Sequence, residues 1–364
     1  PVVPEPAIDK SSDRGSERVF SGPIKILIVD DSKTIRDLLS KIFSSDAELE
    51  VVATADRPSQ VEELIQKHKP DVITLDIHMP EMDGVTLLKK IFPKYRIPTV
   101  MISSISMEEG PMVLNALESG AVDYIKKPDF KELSAVKPFI IEKVKAAAQA
   151  NLVQGGASKV TKKSTAKLDL NTIVAIGSST GGTEALRAIL TQLPKEIPPI
   201  IIVQHIPPVF SLAFAKRLNE LCLFDVKEAE DQDELRPGQV YVAPGGKQMK
   251  VFKSGTGFKL EINNDDPVNR HRPSVDYLFD SVAEVIKGRA IGLVLTGMGA
   301  DGAKGLLKMK KAGARTICQD EKSCVVFGMP KEAIKAGGAD QVMHLDDIPD
   351  GLIQLLSSGP KAVS

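Results

Sequence analysis

The chain has 364 residues, of which 42% are apolar, 26% charged and 4% aromatic, with a formal net charge of −1 at pH 7. That length exceeds one ordinary hydrophobic core and predicts two domains. The near-neutral charge gives no electrostatic case for nucleic acid as a partner, and no apolar run is long enough to insert directly into a membrane. Three cysteines, Cys222, Cys318 and Cys324, form neither a CxxC pair nor a disulfide-rich pattern. They favour a reducing compartment, read as the cytoplasm, and buried inert thiols.

Residues 1–22, PVVPEPAIDKSSDRGSERVFSG, carry no apolar period and resemble neither a secretory signal nor a folded element, so a disordered tail is expected. Residues 23–149 then form a first domain. IKILIV reads as a strand, and DLLSKIFSS carries a helix whose apolar face includes Ile35, Leu38, Leu39, Ile42 and Phe43. Further strands, LEVVATA, DVITLD, TVMISS and DYIKK, alternate with helices near 58–68, 84–92 and 110–119, and a last helix is interrupted or started late by Pro138. Five such alternations predict a doubly wound parallel sheet with its sites at the carboxyl ends of strands. Asp30 and Asp31 close the first strand, Asp76 the third, Ser103 the fourth and Lys127 the fifth. Three carboxylates gathered at one edge repel unless a cation joins them. A hard ion such as Mg²⁺ accepts one or two carboxylates and keeps positions for phosphate oxygens, leaving Ser103 and Lys127 to contact the rest.

VDDS at 29–32, LDIHMPEMDG at 75–84, MISS at 101–104 and KKP at 126–128 together resemble a two-component receiver domain. The resemblance implies a flavodoxin-like fold, phosphorylation of Asp76 by a histidine kinase, Mg²⁺ at Asp30, Asp31 and Asp76, and Tyr124 as an aromatic switch. His68 and His78 read as ordinary surface and loop residues.

Residues 150–168 include QGGASKVTKKSTAK, a linker composition. The second domain, 169–357, precedes a short tail at 358–364. It opens on NTIVAI, a strand, followed by IGSSTGG and the helical TEALRAILTQL. Ser178 and Ser179 therefore sit at a strand-turn-helix junction, where a side chain can cap the helix, hold a phosphate or act as a nucleophile. PPIIIVQHIPP is a strand ending on His205, with two prolines expected to stop regular structure. VYVAPGGKQMKV and FKLEIN read as strands of a β meander. A helix starts near Ser274, behind the basic cluster Arg270, His271 and Arg272, which reads equally as a solvated loop or as the lining of a cleft for an acidic surface. RAIGLVLTGMGADG is a strand, a glycine turn and Asp301, a residue that at this position is often an N-cap. His344 reads as structural.

Ser179, His205 and Asp301 thus lie at three strand ends that one parallel sheet can bring together. A serine hydroxyl needs a base, and an imidazole base needs an acceptor that holds its tautomer. Backbone N–H groups at Thr180, in the helix start, or near Met298, in the glycine turn, can support an oxyanion or the turn. A dinucleotide site is disfavoured by the GxxxGG spacing, an α/β-hydrolase elbow by the Ser-His-Asp order, and a helix-turn-helix output by repeated strands.

IGSSTGGTEAL, QHIPP, APGG, HRPSVD and LTGMGADG closely resemble the catalytic domain of the chemotaxis protein-glutamate methylesterases, the CheB family. The resemblance implies a Rossmann-like three-layer domain needing no cofactor, with Ser179 as nucleophile, His205 as base and Asp301 as its orienting partner. It further implies hydrolysis of glutamate γ-methyl esters, and deamidation of glutamines, on the cytoplasmic domains of methylated chemoreceptors. The competing expectation is a receiver-controlled binding module with a degenerate hydrolase domain, against which the intact Ser, His and Asp weigh. Gly181 and Gly182 are expected to admit the close approach of a receptor helix.

Overall fold

The computed structural model describes residues 20–104, 110–128, 133–152 and 167–358. The predicted disordered tail, the linker and the C-terminal tail lie largely outside the described residues.

The first sheet contains β1 (Ile24–Val29), β2 (Leu49–Ala55), β3 (Val72–Asp76), β4 (Thr99–Ser103) and β5 (Asp123–Lys126). They run all parallel in the order β2-β1-β3-β4-β5, the flavodoxin-like order. The helices are α1 (Lys33–Phe43), α2 (Val61–His68), α3 (Gly84–Tyr95), α4 (Gly110–Glu118) and α5 (Leu133–Ala148). Every residue of β3 and β4 is buried, as expected of strands covered on both faces. α5 differs from expectation, because it runs straight through Pro138. The proline removes one backbone donor, whereas Ile140, Ile141, Val144, Ala147 and Ala148 are all buried and keep the helix on the sheet.

The second sheet is larger and also all parallel, in the order β14-β13-β12-β6-β7-β9-β8. Its strands are β6 (Ile173–Ser178), β7 (Ile200–Gln204), β8 (Asp225–Glu228), β9 (Gln239–Val242), β12 (Ala290–Val294), β13 (Arg315–Gln319) and β14 (Gln341–Met343). The antiparallel pair β10 (Gln248–Ser254) and β11 (Gly257–Asn263) stands apart as a hairpin. The expected meander is therefore divided. VYV is β9, whose buried Val240, Tyr241 and Val242 suit an interior parallel strand, and only β10 and β11 turn back on each other.

Its helices are α6 (Gly182–Leu190), α7 (Pro208–Leu221), α8 (Val275–Val285), α9 (Ala303–Lys311), α10 (Met329–Lys335) and α11 (Ile348–Ser357). The prolines after His205 do not end regular structure. Pro208 opens α7, a position where the missing N–H is not needed and the fixed φ suits the helix. The chain leaves β6 in one direction through β7 and returns to its other side at β12, so β6 and β12 flank the switch point where α/β sheets form their sites.

The two sheets' layers pack directly. Leu114 and Leu117 of α4 share a buried cluster with Phe210, Phe214 and Leu218 of α7. The Tyr124 ring meets Phe210 edge-on at 4.9 Å, and Glu118 pairs with Arg217 at 2.9 Å.

Candidate active site

At the carboxyl ends of β6, β7 and β12, a cleft of roughly 1530 Å³ is lined by Ser179, His205, His271 and Met298 from the second sheet's layers and by Tyr124, Phe139, Glu142 and Lys143 from the first. The two adjacent serines differ. Ser178 is fully buried and its hydroxyl donates to Gln204 Oε1 at 2.6 Å. Gln204 Nε2 in turn donates to the Ser179 carbonyl at 2.9 Å. Ser178 thus ties the turn to β7, while Ser179 lines the cleft. The Ser179 N–H donates to the Thr296 carbonyl at 3.0 Å and is committed there.

Gly181 takes φ 75°, and a Cβ there would meet Val325 at 2.6 Å. A Cβ on Gly182 would lie 2.2 Å from Gln204 Oε1 and 2.7 Å from Ser178 Cβ. These glycines are explained by packing within the chain itself, which corrects the expectation that they admit a receptor helix.

His205 Nε2 lies 2.8 Å from Asp301 Oδ2. A carboxylate only accepts, so Nε2 carries the proton and Nδ1 is the basic atom. Nδ1 is buried and has no hydrogen-bond partner among the described residues. Asp301 is not an N-cap of α9, where Gly302 precedes the helix. It receives instead the opening of α8: Ser274 Oγ at 2.8 Å, Val275 N–H at 2.7 Å and Asp276 N–H at 3.1 Å. Asn269 Nδ2 adds a bond of 2.7 Å. Burial opposes its ionisation, but the His205, Asn269 and backbone donors outweigh burial and hold its pKa below the ordinary carboxylate range. HRPSVD thereby gains a role that its sequence did not disclose. The signal available was the capping Ser274, which serves two helical duties at once, donating to Asp301 and accepting from Tyr277 N–H at 3.4 Å.

His271, left open between loop and cleft, lies in the cleft. Its ring stacks on His205 with centroids 3.7 Å apart and planes 8° from parallel. Arg270 reaches Glu142 of α5 at 3.5 Å. Thr180 is buried, and its hydroxyl donates to Asp123 Oδ2 at the start of β5, while its carbonyl accepts from Thr296 Oγ1 at 2.9 Å. Asp123 also accepts from Lys143 Nζ at 2.6 Å. The hydroxyl beside Ser179 is therefore held by the other sheet's layer.

At the first sheet, one carboxylate oxygen each from Asp30, Asp31 and Asp76 lie within 4.8 Å of one another. Lys127 Nζ is 2.7 Å from Asp76 Oδ2 and 3.0 Å from Asp30 Oδ2, yet the latter oxygen accepts no well-angled hydrogen bond among the described residues. Burial, with Asp30 nearby, raises the Asp76 pKa despite Lys127. Lys127 is itself raised because its carboxylate partners outweigh its burial. Three hard oxygen donors facing a single ammonium fit a divalent cation of the Mg²⁺ type. Ser103 is buried at the end of β4, and Tyr124 is buried with its hydroxyl lacking a hydrogen bond among the described residues. Cys318 and Cys324 are buried as expected, whereas Cys222 is only half-buried; burial pushes the Cys222 thiol up to about 11 and Cys318 to about 12. His344 caps a short turn, accepting from Asp346 N–H at 3.3 Å. No helix among the described residues is long and apolar enough to cross a membrane.

Residues 174–352 match the family described as CheB methylesterase, and residues 26–136 match the response regulator receiver domain. The protein-glutamate methylesterase/protein-glutamine glutaminase of Salmonella typhimurium is 46% identical over 341 residues, covering 92% of this chain and 98% of its own length. The Bordetella parapertussis protein of the same name is 47% identical over 340 residues, with 92% and 97% covered. The crystal structure of the Thermotoga maritima CheB methylesterase catalytic domain aligns with a TM-score of 0.50 and 44% identity, covering 51% of this chain and 98% of that one. The chain belongs to the CheB methylesterase family, with a response regulator receiver domain ahead of its methylesterase domain.

Proposed function

We propose that this chain is a receiver-controlled protein-glutamate methylesterase and protein-glutamine glutaminase, acting on cytoplasmic domains of methylated chemoreceptors. The receiver is assigned residues 23–149 and the catalytic domain 169–357, joined by a linker at 150–168. The observation that carries the reading is the 2.8 Å bond between His205 and Asp301 in the cleft that Ser179 lines.

Ser179 Oγ attacks the γ-carbonyl while its proton passes to His205 Nδ1. The charge on His205 is stabilised by Asp301, whose five donors keep it ionised and fixed. The developing oxyanion is assigned to backbone donors in the turns at Met298 and Thr180, since the Ser179 N–H is already committed. Collapse returns the proton from Nδ1 to the leaving oxygen, releasing methanol, or to the leaving nitrogen, releasing ammonia. Water then repeats the sequence on the acyl-enzyme.

In the receiver, Asp76 is the phosphoryl acceptor from a histidine kinase, with Lys127 and Ser103 contacting the phosphoryl oxygens and Tyr124 as the aromatic switch. Asp30, Asp31 and Asp76 would hold Mg²⁺, which supplies charge neutralisation for transfer. The unphosphorylated receiver walls the cleft and holds Thr180 through Asp123, so phosphorylation acts by loosening that contact. The test is methanol release from methylated receptor by wild type and Ser179→Ala, with and without a phosphoryl donor. Loss of release in the variant is expected, and equal release from both would remove the triad assignment.

A further inference from the structure

The reaction above leaves the stacked ring of His271 without a task. Resting on that triad reading, we propose that His271 is a positioning residue, whose ring fixes the plane of His205 and offers the imidazolium formed there a neutral aromatic face. A single hydrogen bond from Nε2 to Asp301 leaves the His205 ring free to turn about that bond. A ring stacked 3.7 Å away and 8° from parallel removes this freedom, so that the buried Nδ1 keeps one direction.

The loop carrying His271 is built at a cost. Asn269 and Arg270 are consecutive non-glycine residues in the left-handed region, with φ of 52° and 68°, a conformation that persists only when its surroundings hold it. Asn269 Nδ2 supplies that hold by donating to both Asp276 Oδ2 at 2.8 Å and Asp301 Oδ1 at 2.7 Å. Val268 and His271 exchange both backbone bonds across the bend, and Gln248 Nε2 donates to the His271 carbonyl at 3.2 Å. The same carboxylate therefore anchors the base and the loop that stacks on it, making the two rings one assembly.

The stack needs a neutral partner. Burial, then the neighbouring His205, lower the His271 pKa to about 3, with Lys143 and Arg270 acting in the same direction and Asp301 opposing. A charged ring here would oppose proton transfer to His205 by like-charge repulsion. His271 itself gains and loses no proton in the reaction, because the Ser179 proton travels only to His205 Nδ1 and back to the leaving group.

The experiment uses the full chain with a phosphoryl donor, and compares His271→Ala, His271→Asn and His271→Phe. It reads methanol release from methylated receptor and, separately, the rate at which a fluorophosphonate labels Ser179. Misplacing a catalytic group by a fraction of its contact distance costs rate rather than binding. His271→Ala and His271→Asn should lower kcat about 10- to 100-fold, with KM within about twofold and labelling slowed in parallel, whereas His271→Phe should restore most of both rates. Unchanged kinetics in Ala and Asn, a change in KM alone, or a folded Phe variant no faster than Asn would each overturn the proposal. Ser179→Ala separates the two levels: wild-type release from that variant would sink the triad reading itself, whereas an inactive Ser179→Ala leaves the His271 series to judge the stack.

Discussion

Asp76 ends β3 and Asp301 lies in the turn beyond β12, both on the carboxyl side of a parallel sheet, yet their surroundings push them apart. Asp76 is desolvated and lies near Asp30, which together outweigh Lys127, so its charged form is disfavoured. Asp301 is equally buried but receives five donors, so its charged form is favoured. Location in the fold brings a carboxylate to a site, and the count of hydrogen-bond donors decides whether it is suited to be modified or to stay a fixed charge.

The sharpest way to break this contrast is Asp301→Asn. The amide would accept or donate at random where a carboxylate only accepts, releasing the His205 tautomer, and kcat should fall by about three orders of magnitude. Methanol release that falls less than tenfold would show that Asp301 is not orienting the base.

A second test uses acid. His271 is neutral in the folded chain down to about pH 3, whereas in the unfolded chain it protonates near the ordinary value. The unfolded state therefore binds more protons, and stability falls as pH drops through that window. Between pH 7 and pH 5 this amounts to at most about 2 kcal/mol. Urea unfolding should show a smaller acid loss in His271→Phe than in wild type, and an identical slope would contradict the burial of a neutral imidazole.

A third concerns the contact between the two regions. Asp123→Ala removes the acceptor of Thr180 and Lys143, and a charge-assisted bond of this kind is worth roughly 1.5–3 kcal/mol. Methylesterase activity without phosphoryl donor should rise about tenfold. Unchanged basal activity would mean that the receiver does not restrain the enzyme through this bond.

The smallest expected effect is the mirror image of the first. Because the folded state raises the Asp76 pKa, ionising this group at neutral pH costs stability, and Asp76→Asn in chelator should unfold at the same temperature or slightly higher, within about 1 kcal/mol. Asp301→Asn should unfold earlier. The same sign of shift in both variants would dissolve the contrast.

Much of this was legible in the chain. Strands buried on both faces, such as VITLD and IIIVQ, read as nearly continuous apolar runs, and polar residues at or just after their ends named the two sites. What was hidden depends on partners distant in sequence. Nothing near Asp301 announces that its donors come from the start of α8, and no glycine marks the left-handed bend at Asn269 and Arg270 that brings His271 to His205. The proline pair before α7 misled because proline both stops a helix and starts one. Gly181 and Gly182 misled because a missing side chain leaves room without saying who fills it.

The adjacency of β6 and β12 has a kinetic consequence. Ile176 pairs beside Leu293 although over 100 residues separate them, so their pairing closes one very long loop. Parallel pairings of such long range form late and slowly. Ser179 follows β6 directly and Asp301 lies in the turn after β12, so recovered esterase activity should track the last refolding phase, after most helical signal has returned.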